Sequence, residues 1–215
     1  MKGRAAVNVT DVQGDFTTWK KGSLAVPRSD EAYVKKVEAA TRHLREAGLL
    51  IFATQDWHPR DHVSFASNHP GKKPFDTIQI DGRTQALWPD HCVQGTEGAR
   101  ILLDNKLFAA IIQKGMDPKF DSYSGFHDDS GAKTEMEAIL RAHGVANLII
   151  YGIAIDYCVK ATALDAVKAG FSVIVLETLC RGITPDTSLR AIEEMRAAGV
   201  AVMKELDTDA ITSII

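Results

Sequence analysis

Cysteine is scarce in this chain: three thiols (Cys92, Cys158, Cys180) among 215 residues. So small and odd a number excludes a disulfide framework as the source of stability and fits a reducing, cytoplasmic address. Charge of one sign is not in excess either. The 25 Lys and Arg face 28 Asp and Glu, a formal net charge of -3, which gives no electrostatic basis for a nucleic acid or an anionic membrane surface as partner. No apolar run approaches the roughly 20 residues of a membrane helix. The opening Met1-Lys2-Gly3-Arg4 leads into a short mixed segment and not into an apolar signal region. Glycine-rich phosphate loops are missing, which removes the usual nucleotide-binding turn. Internal repeats, low-complexity tracts and Pro/Ser-rich linkers are missing too. What remains is 45% hydrophobic and 25% charged residues, the composition of one folded domain covering residues 1–215.

Short apolar runs alternate with amphipathic stretches. Strands are expected over 5–10, 49–54, 109–112, 148–151, 172–176 and 200–203. Helices are expected from a cap at Ser29 or Asp30 to about 47, then over 133–143, 157–169 and 186–198, each closed by a glycine (Gly48, Gly144, Gly170, Gly199). Near-continuous apolar strands separated by helices are strands buried on both faces. They predict a three-layer α/β/α fold around a six-stranded, mostly parallel sheet with right-handed crossovers. Residues 56–98 break the rhythm. So long an aperiodic insertion is functional or disordered, and its His, Trp and Pro content argues against disorder.

In an open parallel sheet, ligands bind beyond the carboxyl ends of the strands. Four successive strand exits deliver Asp11, then Asp56-Trp57-His58, then Lys114, then Cys158 at the start of a helix. A cysteine in a fold of this kind is ordinarily a small buried hydrophobe, and Cys92 and Cys180 are read that way. Cys158 differs in placement: a helix start and a nearby cation both lower a thiol's pKa, and backbone N–H groups at the turn could hold an oxyanion. Lys114 could stabilise a thiolate and keep Asp11 ionised, and Asp11 is the natural general base.

Of seven histidines, four (His58, His62, His69, His91) fall inside the insertion. Asp56-x-His58 places a carboxylate and an imidazole on one side of an extended segment, and His91 in Trp88-Pro89-Asp90-His91-Cys92 could complete a three-ligand set. Asp/His/His with open positions suits one divalent cation: Zn²⁺ first, with Fe²⁺ and Mn²⁺ as alternatives. Asn8-Val9-Thr10 fits a glycosylation pattern but lies in an expected central strand and is rejected.

These residues fall in ordered blocks: Asp11-Val12-Gln13-Gly14-Asp15-Phe16, Ala53-Thr54-Gln55-Asp56-Trp57-His58-Pro59, Trp88-Pro89-Asp90-His91-Cys92-Val93-Gln94-Gly95-Thr96, Lys114-Gly115, Asp121-Ser122-Tyr123-Ser124-Gly125-Phe126 and Gly152-Ile153-Ala154-Ile155-Asp156-Tyr157-Cys158-Val159. In that order and spacing the chain resembles the nicotinamidase/pyrazinamidase branch of the isochorismatase-like hydrolases. The resemblance implies a Cys158 nucleophile, Asp11 as general acid/base and Lys114 as third catalytic residue. It implies metal bound by Asp56, His58 and His91, and a cis peptide before Ala154 that makes an oxyanion hole from the N–H groups of Ala154 and Cys158. It implies a ring pocket lined by Phe16, Trp88 and Tyr123. Some members use a further loop histidine as ligand; His62 stands closer to His58 than in those members and is left out. Gly14 stands where Asn is common, and Asn8 and Thr10 stand where aliphatic residues are usual, so the latter two need buried hydrogen-bond partners.

The implied activity is hydrolysis of nicotinamide, and of pyrazinamide, through a Cys thioester. An uncharged pyridine carboxamide needs no charged funnel, which agrees with the small net charge. Isochorismatase-type vinyl-ether hydrolysis, an amidase for another small amide and a non-catalytic binding module are the competing readings. Subunit count is left open, a homo-oligomer included.

Overall fold

The computed structural model describes residues 3–205. Met1, Lys2 and residues 206–215, which the single-domain reading counts, lie outside the described residues. In chain order the elements are β1 (Arg4–Thr10), α1 (Glu31–Glu46), β2 (Leu50–Asp56), β3 (Thr77–Ile80), β4 (Arg83–Ala86), β5 (Ala110–Lys114), α2 (Met136–Ala142), β6 (Val145–Gly152), α3 (Lys160–Lys168), β7 (Ser172–Leu176), α4 (Pro185–Ala197) and β8 (Ala201–Met203). The main sheet has six parallel strands in the order β5-β2-β1-β6-β7-β8, as the alternation of apolar runs requires.

β1 and β6 occupy the centre and are buried almost throughout. α1 covers the face that carries Tyr151, whose hydroxyl meets Thr41 Oγ1 at 2.9 Å. α2 and α3 cover the opposite face, where Phe52 stacks near His143 and the turn at Gly125 brings Thr54 close to Met136 and Thr162. Each fully buried aliphatic or aromatic side chain in these layers contributes about 1.5–3 kcal/mol, and Val7, Val37, Phe52, Ile150, Met136 and Val175 are among those with essentially no exposure.

Several local expectations are refined. Asp30 is the α1 cap, its carboxylate accepting from the Tyr33 N–H. Ser29 instead ties the preceding loop, accepting from the Thr18 N–H at 2.9 Å. β6 begins three residues earlier than its apolar run because Asn147 is accommodated by donating to the Gly3 carbonyl. The expected helix over 157–169 starts as a wide π-helical turn, Ile155–Val159, before α3 proper. The insertion contains a small antiparallel hairpin, β3–β4, closed by Asp81-Gly82 with positive φ at both residues, the dipeptide chemistry of a tight hairpin turn. The hairpin escapes a periodicity reading because its strands bury little on either face. Asn8 and Thr10 are paired in part: Asn8 Nδ2 donates to Thr10 Oγ1 at 2.9 Å, while Asn8 Oδ1 is left without a hydrogen-bond partner among the described residues.

Gly152 ends β6 with φ 136°, and a Cβ there would sit 2.0 Å from the Thr10 carbonyl oxygen. No rotamer relieves a clash with neighbouring backbone. Gly152→Ala is therefore expected to cost well over the 0.5–3 kcal/mol of an ordinary substitution, seen as loss of soluble protein or a large drop in Tm by thermal denaturation.

Candidate active site

The carboxyl edge of β1, β2 and β5 carries a group of buried charges. Asp56 is the last residue of β2 and pairs directly across the parallel ladder with Lys114, the last residue of β5. Next to them, β1 leaves the sheet at Asp11, whose φ of 47° turns its carboxylate inward. The Lys114 ammonium lies against Asp56 Oδ1, 3.1 Å from Asp11 Oδ2, 2.8 Å from the Ser122 carbonyl and 3.6 Å from Cys158 Sγ. Asp11, Asp56 and Cys158 each bring a side-chain oxygen or sulfur to within 4.8 Å of the others. All four residues are buried.

Burial weighs differently on each group because their neighbours differ. Burial pushes the Asp11 carboxyl above its ordinary range, against the pull of Lys114. Asp56 feels the same burial, but Lys114 and His58 outweigh it and hold its carboxyl far below the usual carboxylate range. Burial alone would discharge Lys114; Asp11 and Asp56 reverse that and hold its ammonium well above the ordinary lysine value. The Cys158 thiol is pushed well up by burial, which Lys114 does not offset and to which Asp11 and Asp56 add. This corrects the expectation of a lowered thiol pKa. The thiol sits inside the π-helical turn between two carboxylates and not at an open helix end, and both features favour its protonated form.

Beside this cluster stands a second one. Asp56, His58 and His91 converge with ligand atoms within 4.8 Å of one another, all buried. His58 Nδ1 lies 2.8 Å from the Gly115 carbonyl and His91 Nδ1 lies 2.7 Å from the Pro89 carbonyl. A carbonyl accepts only, so each Nδ1 carries a proton and each Nε2 is the nitrogen left to face a ligand. Against its burial, Asp56, 3.5 Å from His58 Nε2, holds that imidazole above its ordinary value, so a bound cation would take the place of its second proton. Burial, reinforced by His58, moves His91 down to about 4, which keeps it neutral at pH 7. The donor set therefore fits a divalent cation. His62 is turned the other way: its Nδ1 accepts from the Ser64 N–H at 3.3 Å and its Nε2 faces the Phe120 carbonyl at 3.2 Å. Both of its nitrogens are occupied by protein. His69 is likewise committed, to the Val63 carbonyl at 2.7 Å.

Above both clusters lies a cavity walled by Phe16, Trp88, Tyr123, Tyr157, Ile153 and Ile183, with Cys158, Asp56 and His91 reaching into it. Trp88 Nε1 donates to the Tyr123 hydroxyl at 3.1 Å, and the Trp88 and Tyr157 rings meet edge to face at 5.3 Å. The Ile153–Ala154 peptide is cis. In the turn that follows, Ile153 donates to Thr10, Ile155 to Arg181, and Tyr157 and Val159 both to Ala154. The N–H of Ala154 is left without a backbone acceptor among the described residues.

Sequence reasoning left three contributors without a role. Gln13 is fully buried; its amide donates to the Asp56 and Ala99 carbonyls and accepts from the Asp56 N–H, each at 2.8 Å. Its side chain thus replaces the ladder bonds that β1 gives up when it turns at Asp11. Gly115 has φ 66°, and a Cβ there would sit 2.3 Å from the His58 ring. Asp121 is buried at the cavity wall and accepts from Gln85 Nε2 at 3.0 Å. Gln13 and Asp121 stand in the recognised blocks, but what they hold is across the fold and invisible to spacing.

Removing the central cation leaves two buried carboxylates facing each other. Lys114→Met is expected to destabilise the fold by about 3–5 kcal/mol, measured as a shift of the urea unfolding midpoint at pH 7.

The isochorismatase domain family matches residues 5–205. The chain is 43% identical over 205 residues to a nicotinamidase of Escherichia coli, covering 92% of this chain and 93% of that one. Among solved structures, an Acinetobacter baumanii nicotinamidase/pyrazinamidase superposes with TM-score 0.84 at 40% identity, covering 94% of this chain and 96% of that one. A Pyrococcus horikoshii pyrazinamidase in complex with zinc superposes with TM-score 0.79 at 38% identity, covering 94% and 99%. With a family match spanning nearly the whole chain and relatives this similar in sequence and fold, the chain belongs to the isochorismatase-like hydrolases, on their nicotinamidase/pyrazinamidase branch.

Proposed function

We propose that this chain is a nicotinamidase, a metal-dependent amidohydrolase that converts nicotinamide to nicotinate and ammonia and takes pyrazinamide as a second substrate. The observation that carries this reading is the meeting of a buried Asp11–Lys114–Cys158 cluster with an Asp56/His58/His91 donor set at the floor of one aromatic-walled cavity. The zinc complex of the Pyrococcus relative supports Zn²⁺ as the ion.

Asp56, His58 and His91 would hold the cation, which supplies a Lewis-acid anchor for the ring nitrogen and for water. Phe16, Trp88 and Tyr123 enclose the flat ring. Asp11 takes the thiol proton of Cys158 as the sulfur attacks the carboxamide carbon. Lys114 stabilises the negative charge that passes between the two. The N–H groups of Ala154 and Cys158 receive the carbonyl oxygen as it becomes an oxyanion. Asp11 then delivers the proton to the departing nitrogen, which leaves as ammonia, and the carbonyl carbon remains joined to sulfur as a thioester. Water attacks that carbon, losing a proton to Asp11; the C–S bond breaks, and Asp11 returns the proton to the sulfur. Nicotinate leaves with the thiol restored. The raised pKa of Asp11 suits a carboxyl that must both accept and release this proton near neutral pH.

Cys158→Ala is expected to lower ammonia release from nicotinamide by about 10³-fold or more while the protein keeps its circular dichroism spectrum. Substantial residual turnover would remove Cys158 from the nucleophile role. A separate measurement addresses the metal. Calorimetric titration of nicotinamide into Cys158→Ala is expected to show about 10- to 100-fold weaker binding after chelation, restored by Zn²⁺. Unchanged binding after chelation would end the ring-anchoring role.

A further inference from the structure

The two oxygens of the Asp11 carboxylate keep different company. Oδ1 accepts a hydrogen bond from the Thr54 hydroxyl at 2.6 Å, with both residues fully buried. Oδ2 lies 3.1 Å from the Lys114 ammonium yet has no hydrogen-bond partner of good geometry among the described residues. Thr54 also fixes the backbone at this point, since its carbonyl accepts from the Asp11 N–H at 3.3 Å. One residue of β2 thus grips Asp11 at both the main chain and the side chain, just where β1 leaves the sheet.

The rotamer of Thr54 is itself set from outside. The turn at Gly125 packs so closely that a Cβ there would come within 2.8 Å of the Thr54 methyl carbon, and the Gly125 N–H is anchored on Thr162 Oγ1 at 3.0 Å. With its methyl held against this turn, the hydroxyl points at Asp11.

A carboxylate that shuttles a proton must present one chosen oxygen to the donor at each step. A free carboxylate in this cluster could rotate and offer either oxygen to Lys114. We propose that Thr54 is a positioning residue for the acid/base step: by taking Oδ1 it commits Oδ2 to the proton exchanged with Cys158. This rests on the reading of Asp11 and Cys158 given above. Thr54 touches no reacting atom. Its effect is to remove a rotational choice, which belongs to the rate of the chemical step and not to binding of the ring.

Thr54→Val keeps shape and strand preference and deletes only the hydroxyl. On the metal-loaded enzyme it is expected to lower kcat for nicotinamide by about 10- to 100-fold, with KM within about 2-fold of the original, a split between rate and affinity that general loss of packing would not produce. Thr54→Ser, which restores the donor, is expected to recover most of kcat. Wild-type kcat in Thr54→Val, a kcat in Thr54→Ser no better than in Thr54→Val, or a parallel rise in KM would each overturn the proposal. Should Thr54→Val give no soluble protein, Thr54→Ala against Thr54→Ser reads the same difference. Asp11→Asn separates the two levels: if it keeps turnover, the acid/base reading itself fails, whereas an inactive Asp11→Asn beside a fully active Thr54→Val overturns the positioning role alone.

Discussion

The ammonium of Lys114 is fully buried between two carboxylates, and the geometry around it follows from that placement. One buried cation among two buried anions is tolerable only when every partner is within hydrogen-bonding or ion-pair distance. Lys114 meets that condition with Asp56, Asp11 and the Ser122 carbonyl at once. The requirement fixes the ladder register of β5 against β2, the inward turn of β1 at Asp11, and the approach of the loop that carries Ser122. It also joins the two halves of the site, because Asp56 belongs both to this ion cluster and to the histidine pair.

The two halves draw on their surroundings in different ways. The backbone carbonyls at Gly115 and Pro89 take the Nδ1 protons of the two histidines and leave each Nε2 turned toward Asp56. Burial raises both the Cys158 thiol and the Asp11 carboxyl, which in the proposed reaction lets the two share one proton. An aromatic-walled cavity whose charged groups are gathered at the floor and at Asp121 on one wall can desolvate a flat uncharged amide at little cost while reserving the strong electrostatics for charge that develops during reaction.

Much of this was legible in the sequence, for definite physical reasons. The parallel sheet followed from apolar runs too continuous for a half-exposed strand. The site followed from the rule that strand exits of such a sheet share one edge, which brought Asp11, Asp56, Lys114 and Cys158 together across 147 positions of chain. The hairpin β3–β4 was missed because each strand is only four residues long and the alternation of Ile78 and Ile80 in β3 is not matched in β4, although Asp81-Gly82 marked its turn. Gln13 and Thr54 were passed over because their partners lie 43 positions away and are met only once β1 and β2 are in register. The thiol's raised pKa was missed because the helix start and Lys114 were weighed while burial against two acids, set by the π-helical turn, was not.

Lys114 and Gly115 are consecutive, and between them they steady both clusters: the side chain of the first holds the carboxylates, the carbonyl of the second holds His58. Both sit at the end of β5, the outermost strand, which is bonded to a neighbour on one side only. Local opening costs least where few buried contacts and few ladder bonds hold an element. Opening of this edge would loosen the ion cluster and His58 together, so the two clusters depend on the same strand end.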